Sequence, residues 1–513
     1  MNVAILHYHL NRGGVSRVIV NQLAALDAVT PAGQTCRVAI LHGGRADGWP
    51  DALAAELKRI DLSIQAVSGL DYDDRAVAAP QPLADRLQQV LDRIGFAPDN
   101  ALLHVHNHSL GKNASFPGAV TMLADRGYGL LLQVHDFAED FRPHNYRLLR
   151  DAFGDDNVQA IQLPQAPHIH YAVLNRRDEK ILHSAGIAPE RLHWLPNPVP
   201  ALGPRPDRDA ARDKLAVTCG ITPSEMYLLY PVRGIRRKNL GELLLFSAIA
   251  GQGVHPAVTL APLNPRERAY YDRWESLATE LRLPCHFDTG SEAKLTFAEN
   301  LAAADRIVTT SVAEGFGMVF LEAWLAGREL VGRDLPEITA DFRDAGLDLE
   351  GLYPRIDVPV DWIGEDVFRS TFRAAYDAVS KSYGRPAIDD EQFEHAVQSK
   401  IVNGNVDFAD LDEEFQEHVI RRIATNSADG DRLLGDNPWL DRAVDADFKP
   451  DQGRIHQNAQ LIESQYSVSV SGLRLRELYQ KVLSSPRGAV SRSCTGSLLD
   501  RFLDPQRFRS IRT

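Results

Sequence analysis

The segment from Thr309 to Ala323 carries the residues best suited to chemistry, because two glutamates eight positions apart, Glu314 and Glu322, bracket a Gly-x-Gly turn. The apolar residues just before it are typical of a buried parallel strand, so Gly315 to Gly317 is expected to form a turn and Met318 to begin a helix. A helix start offers unpaired backbone N–H groups and a positive dipole, both of which attract phosphate. The two carboxylates would therefore flank a bound anion from opposite sides.

A ligand that suits this arrangement has a hydroxyl-rich group at each end and a diphosphate between them, which describes a nucleotide sugar. Glu314 would lie ahead of the helix start, and Glu322 more than one turn into the helix at about 1.5 Å per residue. The alternative is an ordinary strand, turn and helix with two solvated glutamates. This segment alone does not decide between the two interpretations.

A second group of charged residues follows a predicted strand at Met226 to Tyr230. Three arginines and a lysine lie within six residues of one another there: Arg233, Arg236, Arg237 and Lys238. The carboxyl edge of an open α/β sheet is where ligands normally bind. Guanidinium and ammonium groups at that edge would neutralise a diphosphate and stabilise it as it leaves. A solvated basic turn is the alternative.

Histidines cluster at or just beyond the carboxyl ends of the strands predicted in the first part of the chain. They are His7, His9, His42, His104, His106, His108 and His135. Alternate residues of a strand share a face, so His104, His106 and His108 would in principle chelate a metal. The preferred interpretation is a polar acceptor pocket in which these imidazoles and Asn107 bind hydroxyl groups, with Lys112 beside them for an anionic group. Histidines with purely structural roles are the third possibility.

Composition favours an enzyme of more than one domain. The 513 residues exceed what one core normally holds, and 44% of them are hydrophobic. The net charge of −13 argues against nucleic acid and anionic membrane surfaces as partners. No stretch predicts a signal peptide or a membrane span. The cysteines, Cys36, Cys219, Cys285 and Cys494, are too scattered for a disulfide framework or a zinc knuckle, so a cytoplasmic protein is expected.

Alternating strand-like and helix-like segments predict parallel α/β sheets. The predicted strands are Val3 to Leu6, Arg37 to Leu41, Ala101 to Val105, Leu130 to Val134, Tyr171 to Leu174, Met226 to Tyr230, Ala257 to Ala261, Cys285 to Phe287 and Arg306 to Thr309. Proline-rich sequence from Leu192 to Pro206 is expected to link two domains. The region from Asn426 to Asp447 reads as a loop, and Ile455 to Leu483 as one long helix.

Six short motifs together resemble the retaining glycosyltransferases of family 4, which have the two-domain GT-B architecture. They are Glu314-x7-Glu322, Arg233-x4-Lys238, Leu195 to Val199, Leu335 to Ile338, Arg12 to Val15, and His135-Asp136. Their order and spacing agree with the family across roughly 340 residues. Three positions depart from it, since Val232, Asn239 and Pro198 stand where the family usually has glycine.

The resemblance implies an α/β fold of two Rossmann-like domains that face a cleft. Residues 1–199 would form an acceptor domain, 200–454 a nucleotide-sugar donor domain that is partly helical beyond residue 340, and 455–513 a returning helix and tail. It also implies roles for individual residues. Glu314 and His135 would contact the transferred sugar, and Glu322 the ribose. Arg233, Lys238, the diglycine Gly13-Gly14 and the amides of Gly317, Met318 and Val319 would complete the donor site.

The resulting expectation is retaining transfer of a sugar from a UDP-, GDP- or ADP-sugar to a hydroxyl of a small soluble or saccharide acceptor. No metal or further cofactor is expected, and oligomerisation is left open. A lipid-linked or cell-envelope acceptor is one alternative. Others are a nucleotide-sugar epimerase or phosphorylase on the same scaffold, and a non-catalytic sugar-binding module. The sequence identifies neither the base, nor the sugar, nor the acceptor.

Overall fold

The computed structural model describes residues 1–73, 75–291, 293–447, 449–492 and 497–512. Two compact units are present. Unit 1 contains Met1–Pro200, Ser382–Arg385 and Ser464–Asp504, and unit 2 contains Ala201–Lys381, Pro386–Glu463 and Pro505–Thr513. Cys494 lies outside the described residues, and the other three cysteines are free thiols. Among the helices described, none combines the length and the apolar character needed to cross a membrane.

The secondary structure alternates as the sequence predicts. The strands are β1 Asn2–Leu6, β2 Cys36–His42, β3 Ile60–Ala66, β4 Ala101–His106, β5 Gly129–Val134, β6 Ile169–Val173, β7 Leu192–Trp194, β8 Met226–Arg233, β9 Val254–Leu260, β10 Arg306–Thr309, β11 Glu329–Arg333, β12 Leu352–Tyr353, β13 Asp357–Pro359, β14 Ile401–Val402 and β15 Asn405–Asp407. The helices are α1 Gly14–Val29, α2 Leu53–Glu56, α3 Pro80–Arg93, α4 Phe116–Asp125, α5 Pro143–Phe153, α6 Val158–Gln162, α7 Arg176–Ser184, α8 Arg208–Cys219, α9 Leu240–Ala250, α10 Pro265–Glu280, α11 Phe297–Ala303, α12 Val319–Leu325, α13 Pro336–Asp344, α14 Glu365–Ser382, α15 Asp390–Lys400, α16 Glu413–Thr425, α17 Ser427–Asp436, α18 Asp441–Val444, α19 Gln452–Tyr466, α20 Val468–Ser484 and α21 Leu498–Phe502.

Unit 1 is built on a seven-stranded parallel sheet in the order β3-β2-β1-β4-β5-β6-β7. Strands β4 and β5 are buried at every position, as expected of central parallel strands covered by helices on both faces. The chain leaves β1 towards β2 on one side, while β4 lies on the other side of β1. The strand order therefore reverses between β1 and β4, which opens a crevice at their carboxyl ends.

Unit 2 contains a five-stranded parallel sheet in the order β12-β11-β10-β8-β9. Its strand order reverses between β8 and β10, in the same way as in unit 1. The chain after β12 forms a small antiparallel sheet, in the order β13-β15-β14. The prediction of two Rossmann-like domains with parallel sheets is confirmed.

Some predicted elements differ from the structure. The strands that were not expected are β3, β7, β11 and the short strands β12 to β15. Strand β7 occupies the start of the predicted linker, where it pairs with β6. The predicted strand at Cys285 to Phe287 is reduced to one bridge between Ala257 and His286. The predicted loop at Asn426 to Asp447 contains α17 and α18. One of its Asn residues caps a helix, since the Asn426 side chain at the start of α17 accepts a hydrogen bond from the Ala428 N–H.

The long helix predicted at Ile455 to Leu483 is two helices, α19 and α20, and α20 packs closely on α1 in unit 1. Leu475, Tyr479 and Val482 of α20 belong to the same core cluster as the apolar residues of α1 and β1. The close approach depends on Gly472, because a Cβ atom at this position would lie 2.2 Å from the backbone oxygen of Ala25.

We expect Gly472→Ala to lower the free energy of unfolding by about 1–3 kcal/mol, because backbone rather than a flexible side chain blocks the added methyl group. Gly435→Ala is the matched control. Gly435 lies in α17, and a Cβ there meets nothing within 4 Å, so alanine should be neutral or slightly stabilising. Thermal unfolding of both variants checks this, and equal stability of the two would contradict the described packing.

Candidate functional site

In unit 2, two loops meet where the strand order reverses. The loop after β8 contains the basic turn, and the loop after β10 contains Glu314. Two hydrogen bonds join the loops: the Val312 N–H donates to the Arg237 carbonyl at 2.9 Å, and the Thr310 hydroxyl donates to the Lys238 carbonyl at 2.8 Å. The structure thus brings together two of the sequence motifs that lie 76 residues apart in the chain.

Lys238 and Glu314 form a buried ion pair at this junction. Lys238 Nζ donates to Glu314 Oε1, and the side chains are only 11% and 7% exposed. The Ser311 hydroxyl donates to the same oxygen at 2.6 Å, and Tyr230 Oη lies 2.5 Å from Ser311 Oγ. The Glu314 carboxylate is therefore held in one orientation by residues from both loops and from β8.

The electrostatic surroundings keep Glu314 ionised. Burial alone would raise the pKa of Glu314, but attraction to Lys238 and Arg237, together with the hydrogen bonds from Lys238 and Ser311, lowers that pKa below its ordinary value. Lys238 consequently has a full counter-charge in the absence of ligand. An anion that binds Lys238 must share it with Glu314, which places such an anion directly beside the carboxylate.

Asn239, the residue after the turn, stands where the motifs that this sequence resembles usually have glycine, and its conformation explains why asparagine is suitable. Its φ of 49° and ψ of 61° lie in the left-handed region, which glycine adopts freely and asparagine tolerates better than most residues. Two side-chain hydrogen bonds secure it: Asn239 Nδ2 donates to Glu242 Oε2 at 2.8 Å, and Gln416 Nε2 donates to Asn239 Oδ1 at 2.9 Å. Asparagine can therefore replace glycine here without a change in the path of the turn.

The remaining donor-site candidates of unit 2 lie close to this pair in the chain. Arg233 ends β8, is half-buried, and donates to the Ala261 carbonyl at 2.9 Å. Helix α12 begins at Val319, one residue later than predicted, with Met318 as its N-cap. Glu322 therefore lies in the first turn of α12, and the prediction that it lies more than one turn into the helix is wrong. Gly317 has a φ of 81°, and a Cβ there would lie 2.6 Å from the Phe320 ring. The turn before α12 thus requires glycine.

In unit 1, the loops after β1 and β4 meet at the corresponding reversal of strand order. Gly13 is the N-cap of α1 and Gly14 its first residue, and both are exposed. Asn107 follows β4 with a φ of 54°. Its Oδ1 accepts hydrogen bonds from the backbone N–H groups of His135 and Asp136 at 2.7 and 3.2 Å. Asn107 therefore positions the loop that carries His135.

The histidines predicted to line an acceptor pocket are buried and bonded to protein groups. The ring nitrogens of His104 lie 2.8 Å from Tyr479 Oη and 2.9 Å from Gln133 Oε1, so both are engaged and His104 has a structural role. His106 Nδ1 lies 2.8 Å from His135 Nε2, and His108 Nε2 lies 2.8 Å from the Gln162 carbonyl. The structure places His106 and His135 together and directs His108 elsewhere.

Burial keeps these imidazoles neutral. It lowers the pKa of His104 to about 3 and the pKa values of His108 and His135 to about 4. Among the residues that the structure describes, no group of three or more His, Cys, Asp or Glu side chains is arranged to hold a metal ion. His104, His106 and His108 thus do not form the chelate that their spacing in the sequence would permit.

Lys112 lies in a cationic and aromatic cluster of unit 1 that the sequence did not reveal. Lys112 Nζ and the Arg45 guanidinium are 5.1 and 5.0 Å from the centre of the Tyr72 ring. Tyr72 Oη lies 3.0 Å from His9 Nε2, and Arg45 forms an ion pair with Asp71 at 2.5 Å. Burial, with help from Arg142, lowers the pKa of Lys112.

Sequence reasoning also missed Tyr230 and Ser311 in unit 2. Ser311 could have been identified, because a hydroxyl group three residues before Glu314 in a tight loop is well placed to bond its carboxylate. Tyr230 could not, because its contact with Ser311 depends on the pairing of β8 with β10 across 81 residues of sequence.

Glu139 is a buried carboxyl group in the loop that follows His135. It is 2% exposed and packs against the Gln162 side chain. Burial raises the pKa of Glu139 to about 7, although hydrogen bonds from its own backbone and from Gln162 oppose this shift. The group is therefore protonated in the folded protein over a pH range in which it is ionised in the unfolded chain.

Comparison with known proteins identifies a relative by sequence. No model of a known protein family matches this chain. The chain is 27% identical over 354 residues to mannosylglucosyl-3-phosphoglycerate synthase of Petrotoga mobilis, an alignment that covers 67% of this chain and 66% of that protein, so the chain spans just under two thirds of the relative's length.

Solved structures with the same fold include two proteins from Anabaena and Thermosynechococcus elongatus. HepE of Anabaena, solved with UDP and glucose, matches with a TM-score of 0.52 and 13% identity, covering 94% of this chain and 99% of HepE. Sucrose-phosphate synthase of Thermosynechococcus elongatus matches with a TM-score of 0.54 and 15% identity over the same shares of the two chains. At this identity the likeness concerns the fold, and the predicted GT-B fold is confirmed.

Glu139 should make the stability of the protein depend on pH. Between about pH 4.5 and 7 the unfolded chain loses a proton that the folded protein keeps, so the free energy of unfolding should fall as pH rises, by about 3 kcal/mol in total, and level off above pH 7. Glu139→Gln should remove this contribution. Denaturant unfolding of both proteins at several pH values measures it, and parallel pH profiles would refute the assignment.

Proposed function

We propose that this protein is a retaining glycosyltransferase of the family-4 type, which transfers a sugar from a nucleoside-diphosphate sugar to a hydroxyl group of a small anionic acceptor. The observation that carries the proposal is the buried Lys238–Glu314 pair at the reversal of strand order in unit 2. A buried ion pair is not needed for stability at such a position, and an apolar pair of similar size would often serve as well. Its location at the usual ligand crevice favours a functional role.

The donor diphosphate is proposed to bind beside Lys238 and Arg233, with the backbone amides of Gly317 to Val319 at the start of α12. Glu314 would contact the transferred sugar, and Glu322 the ribose. Since Lys238 and Ser311 both donate to Glu314 Oε1, we assign the second oxygen, Oε2, to a sugar hydroxyl. Charge-assisted hydrogen bonds of this kind are about twice as strong as neutral ones, and they would fix the sugar relative to the diphosphate.

The chemical step breaks the bond between the anomeric carbon and the diphosphate oxygen. The electron pair leaves with the diphosphate, where Lys238 and Arg233 stabilise the developing negative charge. The acceptor hydroxyl forms the new bond on the same face of the sugar and gives up its proton to the departing diphosphate. A carboxylate that two donors already hold is a poor nucleophile, which supports this route over a covalent intermediate on Glu314.

The acceptor class is proposed from unit 1 and from the Petrotoga relative. The name of that relative includes a 3-phosphoglycerate group, which carries a phosphate and a carboxylate. In unit 1, Lys112 and Arg45 flank the Tyr72 ring next to His9, in the region where the strand order reverses. Arg45 is already paired with an aspartate, so Lys112 is the cation proposed to bind a small phosphorylated or carboxylated acceptor. His135 is retained as a proposed contact of the sugar.

We expect Glu314→Gln and Lys238→Ala each to lower sugar transfer by about 100-fold or more, because each removes one member of the pair that orients sugar and diphosphate. Lys214→Ala is the matched control, since Lys214 forms a more exposed ion pair with Glu299 in the same unit. Release of nucleoside diphosphate from UDP-, GDP- and ADP-sugars, with 3-phosphoglycerate and its glucoside as acceptors, is measured together with thermal unfolding. Near-normal turnover in both folded variants would reject the donor site.

Lys112→Ala is expected to raise the KM for an anionic acceptor about tenfold or more, with little change in the KM for the nucleotide sugar. Arg37→Ala is the control, because Arg37 also stacks on an aromatic ring, that of Phe96, but lies at the amino-terminal end of β2. Initial rates with the acceptor and with its uncharged analogue test the claim. If Lys112→Ala slows both acceptors equally, Lys112 does not recognise charge.

A further inference from the structure

Residues 505–512, which we term the strap, return the chain to unit 2 after residues 464–504 have packed in unit 1. The strap contains two short 3-10 turns, Pro505–Arg507 and Ser510–Arg512. Phe508 is fully buried, with its ring 5.4 Å from the rings of both Phe372 and Tyr376. The strap is therefore a well-packed part of unit 2.

The second turn of the strap lies against the proposed diphosphate-binding turn. Ser510–Arg512 contacts Arg236–Lys238, and both Ser510 and Ile511 are buried. It also contacts the 3-10 turn Phe408–Asp410, which follows β15. The strap is thus packed directly on the loop that holds Lys238.

Arg509 connects the strap to a buried network of charges. Arg509 Nη1 donates to Asp407 Oδ2 at 3.0 Å and lies 3.7 Å from Asp410 Oδ1. Asp407 also accepts two hydrogen bonds from Arg333, at 2.8 and 2.9 Å. Arg333 in turn donates to Glu242, with a shortest distance of 2.6 Å, and both of these side chains are fully buried.

The network ends at the turn itself. Glu242 accepts a hydrogen bond from Asn239 Nδ2 at 2.8 Å, which secures the left-handed conformation that follows Lys238. Tyr353 Oη donates to the other Glu242 oxygen at 2.6 Å. A continuous series of hydrogen bonds therefore runs from Arg509 through Asp407, Arg333 and Glu242 to Asn239.

We propose that the strap is a positioning element of the donor site, in which Arg509 completes the charge balance that holds the Arg236–Lys238 turn in its binding conformation. The inference rests on the proposed donor site. The inference adds Arg509 to the residues that support the site, although Arg509 follows Lys238 by more than 270 positions in the sequence. Arg509 acts through Asp407 and has no contact with the donor in this assignment.

The balance of charges in this network explains why the turn would depend on Arg509. Three cations match three carboxylates: they are Arg509, Arg333 and Lys400 on one side, and Asp407, Glu242 and Asp410 on the other. Without Arg509 the network would hold an excess negative charge in a buried position, which is unfavourable unless a carboxylate takes up a proton. Attraction to Arg333 and Arg509 lowers the pKa of Asp407, so loss of Arg509 would weaken the carboxylate that holds Arg333 against Glu242. The anchor of Asn239 would then weaken.

The test compares Arg509→Ala, Arg509→Lys and the chain truncated after Asp504 with the full-length protein. Arg507→Ala is the matched control, because Arg507 lies in the same strap but pairs with Glu337, a half-exposed residue outside the network. Isothermal titration with UDP, GDP and ADP measures diphosphate affinity. Hydrogen exchange of residues 236–239 measures the turn directly, since the amides of Lys238 and Asn239 donate to Ile235 and Arg236 at 2.8 and 3.0 Å.

We expect Arg509→Ala and the truncation to weaken binding of the preferred nucleotide about tenfold and to speed exchange at residues 236–239. Arg509→Lys should fall between them and the full-length protein, and Arg507→Ala should match the latter. Faster exchange spread evenly over unit 2 would indicate only lost stability and would overturn the proposal, as would unchanged exchange in both Arg509→Ala and the truncated chain. If the full-length protein binds none of the three nucleotides, the donor site fails, and the exchange result still decides the positioning role.

Discussion

Unit 2 depends on the requirement that charges buried at the carboxyl end of its sheet be balanced by partners within hydrogen-bonding distance. Lys238 is balanced by Glu314, and Arg333 by Glu242 and Asp407, while the solvation lost on burial would cost several kcal/mol for any of them alone. The paired residues come from the loops after β8 and β10, from β11 and β15, and from the first turn of α9. The position of each loop is consequently set by the charges of the others, and the basic turn has a fixed shape before any ligand arrives.

Much of the fold could be predicted from the sequence, because buried parallel strands such as β1, β4 and β5 are continuous apolar runs separated by helical patterns. Three of the strands that escaped prediction show the physical reasons. Strand β3 alternates apolar and polar residues at the sheet edge, and β7 has only three residues next to prolines. Strand β11 contains Glu329 and Arg333, which read as exposed residues but are buried with charged partners.

The candidate donor site could be predicted as far as local spacing reaches. Glu314, Lys238 and the start of α12 follow from short motifs, and the structure brings the first two into contact. The support of the site could not be predicted, because Tyr230, Arg333 and Arg509 reach it through strand pairing and chain return over long stretches of sequence. In unit 1, spacing on a strand suggested shared chemistry for His104 and His108, whereas their partners lie in different directions.

The contribution of α20 to the core of unit 1 has a consequence for how the chain folds during synthesis. Tyr479 bonds His104, and Leu475 and Val482 complete a core that begins with Val3 and Ile5. The ribosome must therefore release the chain as far as the end of α20, at Ser484, before the first sheet is fully covered on that face. Until then its apolar surface is exposed to solvent, so nascent unit 1 is expected to need chaperone protection, even though its strands emerge first.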